Sequence, residues 1–343
     1  MSKLGIQSLR VGIDPGALYI RAHLESKVQV SEPSLAALDY ISGEVVAVGR
    51  AARAMLRTRP SYLRECRPFA LGEVVHYEAA RLLLQQVLDT VQKRAMLRPD
   101  VCLAVPREIS PVALRTWKDV VEQAGARSVI LIDRGAAVAL GTDADLAAPT
   151  ATAAMDIGIG MAAAVTAGGG YLATIAGDVG MGALTTRLGA YLSERYDLFY
   201  DDSLLKAVLQ DAASAGSADD NRAVLLSGRR QADGTEYVVT VTAEELQPTV
   251  EDYLALLRVR TAHWLRRVPP QAQADIYRNG IVLAGGGSLL HGLAPWLTTA
   301  LGVAVRTAPD PFGAVAKGAL AALQRRDDWP YLLAGTMPNE RSK

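Results

Sequence analysis

A short apolar strand that runs into an Asp-x-Gly turn and comes back as a second strand occurs twice in this chain. The first copy is Leu9 to Ile13, then Asp14-Pro15-Gly16, then Tyr19 to Leu24. The second is Ala153 to Ile157 with Asp156 near its end, then Gly158-Ile159-Gly160, then Ala162 to Ala167. Pro fixes φ and Gly tolerates positive φ, so Pro15-Gly16 supplies a turn for a physical reason. Two related halves this far apart, with no short tandem period between them, predict a duplicated fold and not a solenoid.

The stretches between the two copies alternate strand-like and helix-like patterns, which predicts an α/β protein. Glu78 to Arg94 places Leu82, Leu83, Val87, Leu88 and Val91 on one broad helical face. Val101 to Val105 and Val129 to Ile132 are apolar strands around a helix that Ser110-Pro111 opens and Gly125 stops. That strand–helix–strand unit predicts parallel pairing. After an Ala-, Pro- and Thr-rich stretch, Ala144 to Thr152, the pattern restarts. Tyr171 to Ala176 is a strand, and Leu184 to Tyr196 and Ser203 to Ala215 are helices. Thr242 and Glu245 have capping-box spacing at the start of a long helix to about Val268. Gly280 to Leu283 is a strand, Ser288 opens a short helical segment, and Pro311 to Leu323 is a last, Ala-rich helix.

Composition excludes several classes. The 343 residues carry 36 Lys+Arg and 36 Asp+Glu, so no global field draws the chain onto nucleic acid. Two cysteines, Cys66 and Cys102, make no disulfide framework, and four histidines make no zinc set. A reducing cytoplasm is the expected compartment. The most apolar stretch, Ala147 to Ala167, is broken by Asp156 and does not read as a membrane span.

Three glycine turns each follow a buried strand: Asp14-Pro15-Gly16, Asp156 to Gly160, and Gly285-Gly286-Gly287. Glycine lets main-chain N–H groups approach phosphate oxygens closely. Aspartates at strand ends can hold the waters that Mg²⁺ keeps around itself. Arg50, Arg53, Arg57, Arg59, Arg64 and Arg67, interleaved with Leu56, Tyr62 and Leu63, form a local basic cluster. A solvated face is its ordinary reading, and contact with an anionic membrane surface is the alternative.

From Val11 to about Leu323 the sequence resembles the actin-like ATPases, and among them the MreB/Mbl rod-shape proteins. The resemblance is carried by Ser31-Glu32-Pro33-Ser34, Val48-Gly49-Arg50-Ala51-Ala52, "VEQAGARSVILI" (Val121 to Ile132) and Asp156-Ile157-Gly158. It is also carried by "GAYLSERYDL" (Gly189 to Leu198) and, most specifically, by "IYRNGIVLAGGGSLLHGL" (Ile276 to Leu293). The last segment is similar to the family's adenosine-binding loop.

The resemblance implies an actin-like, ribonuclease H-like fold of two lobes, each a five-stranded mixed sheet with flanking helices, around a nucleotide cleft. The first lobe is expected over residues 1–147, with an insertion at about 33–66. The second is expected over 148–323, with an insertion at about 179–241. The last helix, 311–323, returns to the first lobe, and 324–343 is a flexible tail. The implied cofactor is ATP or ADP with Mg. Nucleotide contacts would come from Asp14, Gly16, Ala17, Leu18, Asp156, Gly158, Gly160, Met161, Lys206, Gly285, Gly286, Gly287 and Ser288, with Asp14 and Asp156 holding Mg through water.

The sequence also departs from that pattern. Ala17, Leu18 and Tyr19 stand where the family has a hydroxyl residue, a small residue and Asn. The Glu-Pro pair that supplies the water-orienting acid is Arg134-Gly135 here, and arginine accepts no proton at neutral pH. Asp133 is the remaining candidate for that role, displaced by one position. Ile159, Met161 and Ala162 replace a glycine and two threonines of the second phosphate loop. The family's Val-Gly-Gly-Asp is Val179-Gly180-Met181-Gly182 here, so its Asp is lost, and Val208 replaces a Glu near the retained Lys206. Loss of one positioned polar group at such a site costs on the order of 10²–10³-fold in rate.

The resulting expectation is a filament-forming cytoskeletal protein of cell shape or cell-wall morphogenesis that binds ATP weakly and hydrolyses it slowly or not at all. Expected partners are further copies of itself, an MreB-like paralogue and morphogenesis-complex proteins, with peripheral contact at the inner face of the cytoplasmic membrane and no nucleic acid. One alternative is a nucleotide-independent scaffold that co-assembles with an active paralogue. A second is a small-molecule kinase of the same superfamily, for which the sequence offers no convincing catalytic aspartate and substrate pocket.

Overall fold

The computed structural model describes residues 9–24, 29–58, 60–92, 97–216, 221–325 and 333–334. In the first half, β1 (Arg10–Pro15) pairs antiparallel with β2 (Tyr19–Leu24), and β2 with β3 (Gln29–Pro33). β4 (Ala36–Asp39), β5 (Val45–Val48) and β6 (Leu63–Cys66) form a separate three-stranded sheet beside α1 (Gly49–Leu56). A small hairpin, β7 (Phe69–Ala70) with β8 (Glu73–Val74), leads to α2 (Tyr77–Gln92). Then β9 (Asp100–Val105), α3 (Pro111–Gln123) and β10 (Ser128–Asp133) make the parallel strand–helix–strand unit. Ser110 caps α3 by accepting from the Ala113 N–H at 3.1 Å, and Pro111 sits at the first turn, where its missing N–H costs nothing. A short buried helix, α4 (Arg134–Gly141), ends this half.

The second half repeats the plan. β11 (Thr152–Ile157) pairs antiparallel with β12 (Met161–Ala167), which pairs with β13 (Gly170–Gly177). Helices α5 (Met181–Tyr196) and α6 (Asp202–Ala207), a π-turn at Val208–Ala212, and the hairpin of β14 (Ala223–Arg229) and β15 (Glu236–Thr242) follow. α7 (Ala243–Arg266) opens with a complete capping box between Thr242 and Glu245. α8 (Pro270–Asn279), β16 (Ile281–Ala284), α9 (Leu293–Leu301), β17 (Val305–Thr307) and α10 (Ala314–Gln324) complete it. β11 is parallel to β16, and β16 to β17.

The two main sheets share one topology. The first runs β10-β9-β1-β2-β3, the second β17-β16-β11-β12-β13. Asp14 on β1 and Asp156 on β11 therefore hold equivalent places, each at the penultimate position of its sheet's central strand. A short β18 (Leu333–Ala334) adds antiparallel to β10, giving the expected loose tail one ordered contact. The rest of the segment after Arg325 lies outside the described residues.

Core packing follows the same division. One cluster fills the first half around Ile13, Leu83, Leu103 and Trp117, and another fills the second around Met155, Leu188, Tyr253 and Trp264. A third, Ala-rich cluster joins α4 and α10 to both sheets. Its close approach depends on missing side chains. A Cβ on Gly318 would stand 1.7 Å from the Ala137 carbonyl oxygen, and one on Gly12 would stand 2.2 Å from that of Ala316. The last helix thus packs directly on β1.

Candidate functional site: an interlobe cleft with an internal cation

The turns after β1 and β11 face each other across a cavity of about 900 Å³. Ligand pockets commonly run about 300–1,000 Å³, so a nucleotide-sized molecule fits. Asp14, Gly16, Ala17 and Leu18 line one wall, and Asp156, Gly158, Gly160 and Met161 the facing wall. Gly285, Gly286 and Gly287 close one end, and Lys206 on α6 reaches the same space. Twelve of the thirteen residues expected to touch nucleotide are therefore brought to one cavity. Ser288 is the exception: it is buried, and its hydroxyl donates to the Gly285 carbonyl at 2.7 Å, holding the glycine turn from behind.

The loops are shaped by main-chain geometry. Gly285 has φ +79°, and a Cβ there would stand 2.5 Å from Asp156 Oδ1 and from the Ile157 carbonyl oxygen. Only glycine lets the third turn lie against the second. The second turn closes through Gly158 N–H to the Gly160 carbonyl at 2.8 Å, and it accepts from the start of α5 through Met181 N–H to the Gly158 carbonyl at 2.7 Å. The first turn is held by Ser34, whose hydroxyl donates to the Gly16 carbonyl at 2.6 Å and whose N–H donates to the Leu18 carbonyl at 3.0 Å. Ser34 of the Ser-Glu-Pro-Ser segment thus supports the loop from outside the cavity, while Ser31 of the same segment lines it.

At the floor of the cleft, Arg134 opens α4 with its side chain 13 % exposed. Its Nη2 lies 2.7 Å from Asp14 Oδ1, and its Nη1 donates to Asp156 Oδ2 at 3.1 Å. Arg21 stands 4.0 Å from Asp14 Oδ2. Burial works against the Arg134 charge, but the two carboxylates outweigh it and raise the guanidinium above its ordinary value. Burial pushes Asp156 up, with the negative charge of Asp14 adding to it, while Arg134 pulls it back down. Two carboxylates and two guanidiniums cancel in formal charge.

The cleft thereby corrects the expected metal role. Mg²⁺ held through water needs carboxylates whose charge is free to organise its hydration shell. Here Asp14 and Asp156 both turn to Arg134, and the two cations beside them oppose a third. Among the described residues, no group of three or more His, Cys, Asp or Glu gathers as a metal site. The residues present do not fit a hydrated Mg²⁺ between Asp14 and Asp156.

Asp133 is also displaced from the role expected of it. It caps α4, accepting from the Ala136 N–H at 3.0 Å, and its other oxygen accepts from the Arg107 N–H at 3.0 Å. It is buried, does not line the cleft, and burial pushes its carboxyl up to about 6. Both oxygens serve the backbone, so no acid at this position faces the cavity.

Residues that sequence reasoning did not assign to the site complete the cleft's charge. β2 alternates half-buried with buried positions, which places Tyr19, Arg21 and His23 on its cleft face. Arg21 and Arg53 lie 5.3 and 5.1 Å from the Tyr19 ring centroid, and Arg53 donates to the Tyr19 hydroxyl at 2.9 Å. Arg21 also lies 5.0 Å from the Phe312 ring. The two-residue alternation was the signal for this face. The supposed basic surface cluster is divided: Arg53 serves the cleft, Arg50 pairs with Glu32 at 3.3 Å, and Arg67 pairs with Glu65 and, across the lobes, Asp202. Arg57 and Arg64 stay exposed, and Arg59 lies outside the described residues.

Comparison with known proteins agrees with this geometry. The family model of the MreB/Mbl proteins matches residues 8–329. The cell shape-determining protein Mbl of Bacillus subtilis is 26% identical over 327 residues, covering 93% of this chain and 97% of that protein. The crystal structure of MreB5 of Spiroplasma citri bound to ADP is similar at a TM-score of 0.85 and 22% identity, over 93% of this chain and 97% of that one. The MamK double helical filament is similar at a TM-score of 0.78 and 20% identity, over 93% and 99%. These two likenesses establish the actin-like fold.

Proposed function

The chain belongs to the MreB/Mbl family, and from that membership we propose that it is a filament-forming, actin-like cytoskeletal protein of cell shape or cell-wall morphogenesis. In this reading it takes adenine nucleotide weakly in its interlobe cleft and hydrolyses it slowly or not at all. The observation that carries the proposal is the meeting of three glycine turns, from two topologically equivalent lobes, around one nucleotide-sized cavity. Nucleotide held between the lobes would favour their closed arrangement, and head-to-tail contacts between closed copies give an open filament. The loss of hydrolysis is supported by Arg134 at the acid's position and by the engagement of Asp133 in capping α4. The division at about residue 147, with insertions at about 33–66 and 179–241, belongs to the same reading.

Sedimentation of purified protein with and without ATP tests it. The proposal expects pelleting that depends on ATP. Pelleting only beside an active MreB-like paralogue, with no response to ATP, would establish the co-assembling scaffold instead.

A peripheral membrane contact is favoured by one observation. At the outer edge of the β4–β6 sheet, Tyr40, Ile41 and Tyr62 are exposed, Ile41 at 94 %, with the Arg64 side chain nearby in sequence on the same sheet. Such an apolar tip with basic neighbours suits an anionic bilayer surface. Among the described residues, no helix is long and apolar enough to cross a membrane. Co-sedimentation with anionic vesicles should fall on Ile41→Glu, and unchanged co-sedimentation would remove this contact from the proposal.

A further inference from the structure

We infer that Arg134 is a built-in replacement for the divalent cation, so that the cleft takes its nucleoside polyphosphate metal-free. The inference rests on the reading of the cleft as a nucleotide site, and it concerns the form in which the nucleotide is bound. Arg134 occupies the space between Asp14 and Asp156 at 2.7 and 3.1 Å, tying together the equivalent strand ends of both lobes. A guanidinium has five N–H donors, more than these two contacts use, and its planar fork matches phosphate oxygens. It lines the same cavity as Gly16, Gly158 and Gly160.

The surrounding charge points the same way. Asp14 and Asp156 are neutralised by Arg134 and by Arg21 at 4.0 Å. Arg53 and Lys206 add positive charge to the cavity wall, while its two other acids, Asp178 and Asp202, pair with cations outside the cavity, Arg260 and Arg67. A site of this balance attracts a polyanion and offers nothing further to a hydrated dication. Free triphosphate carries more negative charge than its Mg²⁺ chelate, so the electrostatics favour the unchelated form. Because the guanidinium stays protonated throughout the working pH range, the replacement cation is permanent, whereas Mg²⁺ would exchange with solvent.

The test is calorimetric titration of ATP into the full chain, once in excess EDTA and once in excess Mg²⁺, for wild type and for Arg134→Gln. Wild type is expected to bind in EDTA as tightly as in Mg²⁺ or more tightly. Arg134→Gln is expected to lose about tenfold or more in EDTA and to recover part of that loss with Mg²⁺, since it frees two carboxylates. Wild-type binding that is tenfold weaker in EDTA than in Mg²⁺ would overturn the inference and leave the nucleotide site standing. No binding in either buffer would overturn the reading of the cleft itself. The wild-type comparison decides the matter even where the variant folds poorly.

Discussion

Arg134 stands between Asp14 and Asp156, 2.7 Å from one carboxylate and 3.1 Å from the other, so a single side chain joins the homologous corners of the two lobes. All three groups are largely buried. Removing the cation leaves two carboxylates facing each other at low dielectric.

Arg134→Gln should therefore lower stability by about 3 kcal/mol at neutral pH, the usual cost of breaking a buried pair from one side. Urea denaturation measures it. Adding Asp14→Asn should recover part of the loss, because the repulsion disappears with the charge. Equal stability of wild type and Arg134→Gln would show that the triad is not formed.

The joint between α4 and α10 predicts a second effect. A Cβ on Gly318 would fall 1.7 Å from the Ala137 carbonyl oxygen, so Gly318→Ala must push the helices apart. Overpacking of this kind costs about 1–3 kcal/mol or more, despite alanine's better helix propensity. A melting temperature at or above that of wild type would contradict the packing described.

Asp133 gives a pH signature. Burial raises its carboxyl from 3.8 to about 6 in the folded chain. Between those values the folded state holds a proton that the unfolded state has lost, so its contribution to stability is full below about pH 4 and is lost as pH rises through about 6. The difference in stability between wild type and Asp133→Asn should thus fall from pH 4 to pH 6 and stay level above about 7, by about 3 kcal/mol in all for a shift of this size. Chemical denaturation at each pH reads it, and a difference independent of pH would place Asp133 in a wetter setting.

Much of this was written locally. The paired Asp-x-Gly turns, the Ser110 cap, the Thr242–Glu245 capping box and the buried strands follow from neighbouring residues, and the structure forms them. Elements without such local signals were missed. α8 opens at Pro270, directly after Pro269, with Pro in its first turn. In β14 exposed and buried positions alternate, but the exposed Leu225 is as apolar as its buried neighbours Val224 and Leu226, and α4 is a short Ala/Gly run whose helix is set by tertiary burial. Ser203 to Ala215 shortens to α6 and a π-turn. The site residues were legible as three turns, but the Arg134 bridge was not, because its partners lie 120 positions before it (134 − 14) and 22 after it (156 − 134).

Gly285 separates binding from general stability. Gly285→Ala forces a side chain to φ +79° and against Asp156, so ATP affinity should drop about tenfold or more as the third turn is displaced. Gly43→Ala is the control: φ is +74°, but nothing lies within 4 Å of a Cβ there. It should cost about 1 kcal/mol of stability with ATP affinity unchanged. Equal affinity losses in both would mean that strain alone, and not the cleft, sets binding.

The most direct examination of the whole account is to follow phosphate release and pelleting together in one ATP-containing reaction. Polymer should accumulate while free phosphate stays at the level of a protein-free blank. Phosphate appearing in step with polymer, at about one per subunit, would show that the terminal phosphate is still being split and that Arg134 has not ended the chemistry.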